Sequence, residues 1–188
     1  MKGVLDQKRG FTLVELAIVL VIIGLILGAV LKGQEMIFNA KVKNLVNGFN
    51  GLMAAVYSYQ DRYGYLPGDD PKASTRWTGA TDGNGDGVWN TAERTNAWSH
   101  LRYSRLIAGD GTDTTPVNHA FGGQYQFYYY NFGGTVGRRN CIMAINVPAD
   151  AARMLDEKYD DGVYNTGSIR ASADYTSTAL LRIYWALD

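Results

Sequence analysis

The chain has 188 residues, 46% of them apolar, and no formal net charge at pH 7. That length admits one modest domain plus an anchoring segment. Balanced charge leaves no basic field, which argues against binding nucleic acid. The single cysteine, Cys141, excludes an internal disulfide.

Residues 1–10 carry Lys2, Lys8 and Arg9 against Asp6, and end in Gly10. From Phe11 to Leu31 the chain is almost wholly apolar. At 1.5 Å per residue that run reaches about 30 Å, enough to cross a bilayer as a helix. The basic residues ahead of it place its N-terminus in the cytoplasm and the remainder outside. An ordinary signal peptide has a shorter apolar core and a small-x-small cleavage site, and Leu27-Gly28-Ala29 makes a poor one. Glu15 is the only charge in the run before Lys32. A lone carboxylate at such a depth costs roughly 2.5–3.5 kcal/mol and is a functional residue by default. The sequence shows it no partner within the helix.

After Lys32 the pattern turns amphipathic. Ile37, Val42, Leu45, Val46, Phe49, Leu52, Met53 and Val56 recur at three- and four-residue steps, with Lys41, Lys43, Asn44, Asn47 and Asn50 between them. This spacing predicts that the same helix continues with one stripe packed on a domain, and stops near Tyr63-Gly64, ahead of Leu66-Pro67-Gly68. Its length would be about 50 residues, on the order of 75–80 Å.

Residues 65–123 are rich in Gly, Asp, Thr and Asn and read as a long connection carrying one helix over 91–106, with Ala97, Trp98, Leu101 and Arg105 on one face. Asp69 and Asp70, after Pro67-Gly68, read as turn residues. Strands are predicted over 124–132, 140–147 and 180–187, a short helix over 149–159, and a hairpin turn at Gly133–Gly137. Alternation in the first strand sets Tyr125, Phe127 and Tyr129 on one side, and Tyr128 and Tyr130 on the other.

The segment from Asp82 to Glu93 fits the twelve-residue calcium loop D-x-N-x-D-G-x5-E. Asp82, Asn84 and Asp86 would offer side-chain oxygens, Val88 a carbonyl, Asn90 a direct or water-mediated contact, and Glu93 a bidentate carboxylate. The alternative is a solvated Asp/Gly turn. Asp156, Glu157, Asp160 and Asp161 form a second acidic cluster without clean ligand spacing. His100 and His119 lack any accompanying catalytic or metal motif, and no catalytic residue is predicted. Cys141, in an apolar run, reads as a buried small hydrophobe.

The run Lys8-Arg9-Gly10-Phe11-Thr12-Leu13-Val14-Glu15-Leu16-Ala17 resembles the N-terminal motif of the type IV pilin and pseudopilin family, and the likeness extends over about residues 8–65. It implies cleavage after Gly10 by a prepilin peptidase, N-methylation of Phe11, and neutralisation of a neighbouring subunit's terminal amine by Glu15. It implies an α+β fold, a long N-terminal helix packed on a small antiparallel sheet. Leader (1–10), membrane and filament-core helix (11–31), amphipathic continuation (32–63) and globular domain (64–188) would follow in order. Expected partners are other copies in a helical filament, an assembly ATPase with its platform protein, and the inner membrane before assembly. The implied function is a structural subunit of a surface or periplasmic filament, not an enzyme. Alternatives are a type II secretion pseudopilin, a minor pilin or, in another class, a membrane-tethered calcium-dependent adhesin. Many family members carry a C-terminal disulfide loop. With one cysteine, this chain needs a different staple.

Overall fold

Free of proline from Leu13 to Tyr63, the chain folds as one 51-residue helix, α1, in spite of its interior glycines. In the computed structural model, which describes residues 11–133 and 137–187, α1 ends where the sequence predicts. Gly64 takes a left-handed φ of 78° and its N–H caps the carbonyl of Gln60 at 2.8 Å.

The chain divides into two compact units, one ending at Ala40 and one running from Lys41. The division falls inside α1. In the first unit, every large aliphatic side chain of α1 is exposed, Met36 and Ile37 included. Ile37 therefore does not belong to the buried stripe that its spacing predicts. In the second unit the stripe is present: Val42, Leu45, Val46, Phe49, Leu52, Ala55, Val56 and Tyr59 are all buried.

After α1 come a one-turn helix α2 (Ala73–Arg76) and α3 (Thr91–Tyr103), then strands β1 (Tyr125–Asn131) and β2 (Arg138–Val147). Helix α4 (Ala149–Tyr159), β3 (Ile169–Ala171) and β4 (Leu181–Ala186) complete the fold. The four strands form one antiparallel sheet in the order β1-β2-β4-β3. β3 and α2 have no counterpart in the sequence reading, being too short for a periodic signal. Helix α3 stops earlier than predicted: Ser104 caps it and Arg105 sits at a φ of 59°. Arg105 is exposed, and Arg102 is the buried arginine of that helix. The turn predicted at Gly133–Gly137 lies largely outside the described residues.

Pairing of Tyr125 with Ala144, Phe127 with Ile142, and Ile142 with Trp185 puts these residues on the sheet face that meets α1. Phe49 is their hub, with ring centroids 5.2 Å from Tyr125 and 5.4 Å from Trp185. Phe127 continues this core against Trp89 and Trp98. The opposite face carries a smaller cluster in which Cys141, Met143, Phe132 and Ala186 pack with Tyr184. There Tyr130 stacks on Tyr184 at 3.9 Å. Cys141 is fully buried, and burial raises its thiol well above the ordinary range, so it packs as a hydrophobe.

One interior glycine of α1 follows from this packing. A Cβ on Gly48 would lie 2.0 Å from the Tyr125 hydroxyl. That hydroxyl donates to the Leu45 carbonyl at 2.8 Å, filling the space a side chain would need.

Candidate assembly site and acidic loops

The N-terminal end of α1 is built by a local rule. Thr12 precedes the first helical residue, and Glu15 follows three residues later. Threonine at the cap and glutamate three positions on make a capping box. The Thr12 hydroxyl accepts the Glu15 N–H at 3.2 Å, and Glu15 Oε2 accepts the Thr12 N–H at 2.8 Å. The same Oε2 also accepts the Thr12 hydroxyl at 2.8 Å. Glu15 therefore has a partner in its own chain, contrary to the sequence expectation. The signal was present in the spacing Thr12-x-x-Glu15. The capping bonds hold the carboxylate at the end of the helix where unpaired N–H groups and the macrodipole favour negative charge.

Beyond Glu15 no side chain of α1 is polar until Lys32. No part of the apolar stretch is buried. It is long and apolar enough to cross a membrane. Phe11, at its start, is 80% exposed. Gly10, on the other side of the expected cleavage point, lies outside the described residues.

The family description that fits this end of the chain is the prokaryotic N-terminal methylation motif, matched over residues 5–31. The chain carries the signature of type IV pilins and pseudopilins. No curated protein and no solved structure matches it. The pilin signature and the long helix packed on an antiparallel sheet agree with the α+β architecture expected from the resemblance. The motif supports a pilin-like or pseudopilin subunit, processed by prepilin peptidase from a membrane-anchored precursor.

The segment from Asp82 to Glu93 is differently arranged from the ligand set read in the sequence. Asp82 accepts the Ser74 N–H and hydroxyl, both at 2.7 Å, which hold its carboxyl below the usual carboxylate range. Asn84 and Asp86 form successive side-chain turns: Asn84 Oδ1 accepts the Asp86 N–H, and Asp86 Oδ1 accepts the Val88 N–H, each at 2.9 Å. Asn90 caps α3, accepting from Ala92 and Glu93, while Glu93 accepts the Asn90 N–H at 2.9 Å and the Asn84 N–H at 3.0 Å. The two form a second capping box.

The structure brings Asp86 and Glu93 together not with Asp82 but with Asp69. One carboxylate oxygen from each of the three lies within 4.8 Å of the others. Asp69 is buried and accepts N–H groups from Gly85, Asp86 and Gly87. Burial raises its pKa, the Gly87 and Gly85 amides oppose that, and the charges of Glu93 and Asp86 reinforce it. An aspartate two residues after a proline gives no sequence sign of such a role and carries only the signal of a turn residue.

Asp70, beside it, enters a different network. It is fully buried, paired with Arg76, and accepts the Tyr59 hydroxyl at 2.8 Å. His100 Nδ1 accepts the Gly68 N–H at 2.8 Å, and Nε2 donates to the Thr81 carbonyl at 2.8 Å, which assigns the neutral Nε2–H tautomer. This network joins α1, α3 and the connection between them.

Proposed function

We propose that this chain is a structural subunit of a type IV pilus-like filament, cut after Gly10, methylated on Phe11 and assembled through the N-terminal part of α1. The observation that carries the reading is Glu15, the one charge at the head of a fully exposed apolar helical segment. Such a surface needs lipid or other apolar helices around it. Copies of the same segment provide that cover in a filament. Glu15 then supplies register. A terminal amine of a neighbouring subunit offsets the desolvation of the carboxylate, whereas a subunit seated at the wrong depth leaves it uncompensated. The assembly ATPase and platform protein enter as the machinery that lifts subunits from the inner membrane.

The test is intact mass of the membrane-extracted protein, with and without prepilin peptidase, alongside electron microscopy of sheared surface material. Loss of residues 1–10 with gain of one methyl group, and filaments built of this chain, is the expected result. Processing without surface filaments would favour a secretion pseudopilin or minor subunit. An uncut chain in peptidase-positive cells would overturn the reading in favour of a tethered binding module.

For the loop 82–93 we propose calcium, with a donor set revised to Asp69, Asp86 and Glu93. These oxygens are hard donors suited to calcium. A bound ion would brace the connection between α2 and α3 and contribute the staple that one cysteine cannot. Thermal unfolding in calcium and in chelator tests it: an unchanged midpoint that ignores Asp86→Asn would remove the ion from this loop.

A further inference from the structure

Beyond the filament reading, we infer a second, independent divalent-cation site where α4 ends, formed by Asp156, Asp160 and Asp161 and suited to calcium. One carboxylate oxygen of each lies within 4.8 Å of the others. The cluster has a feature that solvated acidic turns lack. Asp156 is fully buried, and its Oδ1 has no hydrogen-bond partner among the described residues. Its other oxygen, Oδ2, accepts the Tyr175 hydroxyl at 2.6 Å, which fixes the carboxyl in place. The Gly162 amide lies near enough to favour the charged form but completes no hydrogen bond with Oδ1. A buried oxygen left unpaired costs on the order of 1–3 kcal/mol, more when charged, and native structures rarely leave one without a reason.

The surroundings sharpen the need for a cation. Asp160 is the C-cap of α4, so the three acids sit at the negative end of a helix dipole. None of them is in an ion pair with a described residue. Arg170 acts on Asp161 from beyond ion-pair distance. The three carboxylates lie close enough to repel one another. A divalent ion would answer Oδ1 and the repulsion together.

The chain around the cluster is already bent to present it. Asp160 Oδ2 accepts the Ile169 N–H at 2.7 Å, and Asp161 accepts from Val163 and Thr166. A Cβ on Gly167 would lie 2.0 Å from Asp160 Oδ2, so only glycine lets the loop close over it. Each of these acids keeps oxygen lone pairs beyond the bonds named. An all-oxygen, carboxylate-rich set selects calcium, magnesium or manganese over zinc or copper, and calcium accepts irregular ligand geometry more readily than magnesium does. Its effect would be to tie the loop after α4 to the loop carrying Tyr175, across the short edge strand β3.

The test is calorimetric titration of calcium into the chelator-treated full chain in detergent micelles, for wild type, Asp161→Asn, Asp156→Asn and Asp86→Asn. Asp161 is exposed, and asparagine there can still accept from Val163, so this variant reads binding rather than folding. The expected result is a binding event that survives Asp86→Asn and weakens at least about tenfold in Asp161→Asn. Asp156→Asn, if circular dichroism shows it folded, should remove the event. Wild-type protein that takes up no calcium at millimolar concentration would overturn the proposal. So would an event that Asp86→Asn abolishes and Asp161→Asn leaves unchanged.

Discussion

The two halves of α1 have the same backbone and opposite surroundings. Through Ile37, every large aliphatic side chain is exposed, whichever way it points. From Val42, the helix buries one stripe and shows the other to solvent. The second half answers to its own sheet, so its sequence is periodic. The first half answers to whatever apolar medium surrounds it from all sides, so its sequence is uniform. A helix hydrophobic all round belongs among lipids or among other helices. Here the pattern changes within one helix, at the point where the compact units divide.

The sharpest break in that comparison is Glu15→Leu. It removes the only charge between Leu13 and Leu31, the uniformly apolar part of that half. Membrane insertion should be retained or improved, because the cost of the carboxylate disappears. Filament yield should fall to nothing if Glu15 sets register. Undiminished filaments by electron microscopy would end that assignment.

Matched truncations probe the halves separately. Leu45 is fully buried, and Leu45→Ala should lower domain stability by about 2–5 kcal/mol. Leu25 is 70% exposed, and Leu25→Ala should leave the unfolding midpoint of the detergent-solubilised protein unchanged while weakening assembly. A midpoint lowered equally by both would mean that the first half packs on its own domain.

Next in size is Gly48→Ala. An alanine is normally the better helix residue, yet here its Cβ would meet Tyr125, which is held by Phe49, His119 and the Leu45 carbonyl. The expected cost is about 1–3 kcal/mol, read by denaturant titration.

Acid should also loosen the periodic half. Burial lowers the pKa of His100 below its ordinary 6.5, although the Thr81 contact and the charges of Asp70 and Asp82 oppose the shift and Arg76 supports it. The unfolded chain therefore binds a proton that the folded one refuses. Stability from this group is complete above about pH 6.5 and declines below it, with a slope of at most about 1.4 kcal/mol per pH unit. His119 shifts the same way. Asp69 and Asp156, whose pKa values are raised, act with the opposite sign at lower pH. Thermal midpoints that hold flat from pH 7 to about pH 5 would show His100 protonating without leaving its network.

Much of this molecule was legible because its signals are local. The extent of α1, the boundaries of α4 and the sides of the tyrosine-rich strand follow from periodicity and end signals. The capping box at Thr12 and Glu15 is equally local, written in the spacing Thr12-x-x-Glu15. Asp69, Asp70 and the orphaned oxygen of Asp156 were not legible. Their roles depend on contacts between segments far apart in the chain, or on burial that a run of polar residues conceals. The same holds for Asp82, where a good loop motif does not disclose that Ser74 already occupies the carboxylate.

The smallest expected effect separates monomer from assembly. Gly51 sits in the periodic half, exposed, with nothing within 4 Å of where a Cβ would be. Unlike Gly48, it is not required by any packing in its own domain. Gly51→Ala should therefore stabilise the monomer by about 0.5–1 kcal/mol, by restricting the unfolded chain and favouring the helix. Filament yield supplies the second reading. If a neighbouring helix approaches this face closely, the added methyl group should weaken assembly even as the monomer gains stability. A variant that is more stable and assembles as well as wild type would place Gly51 on the outer side of the packed helices, and a less stable one would contradict the open space around it.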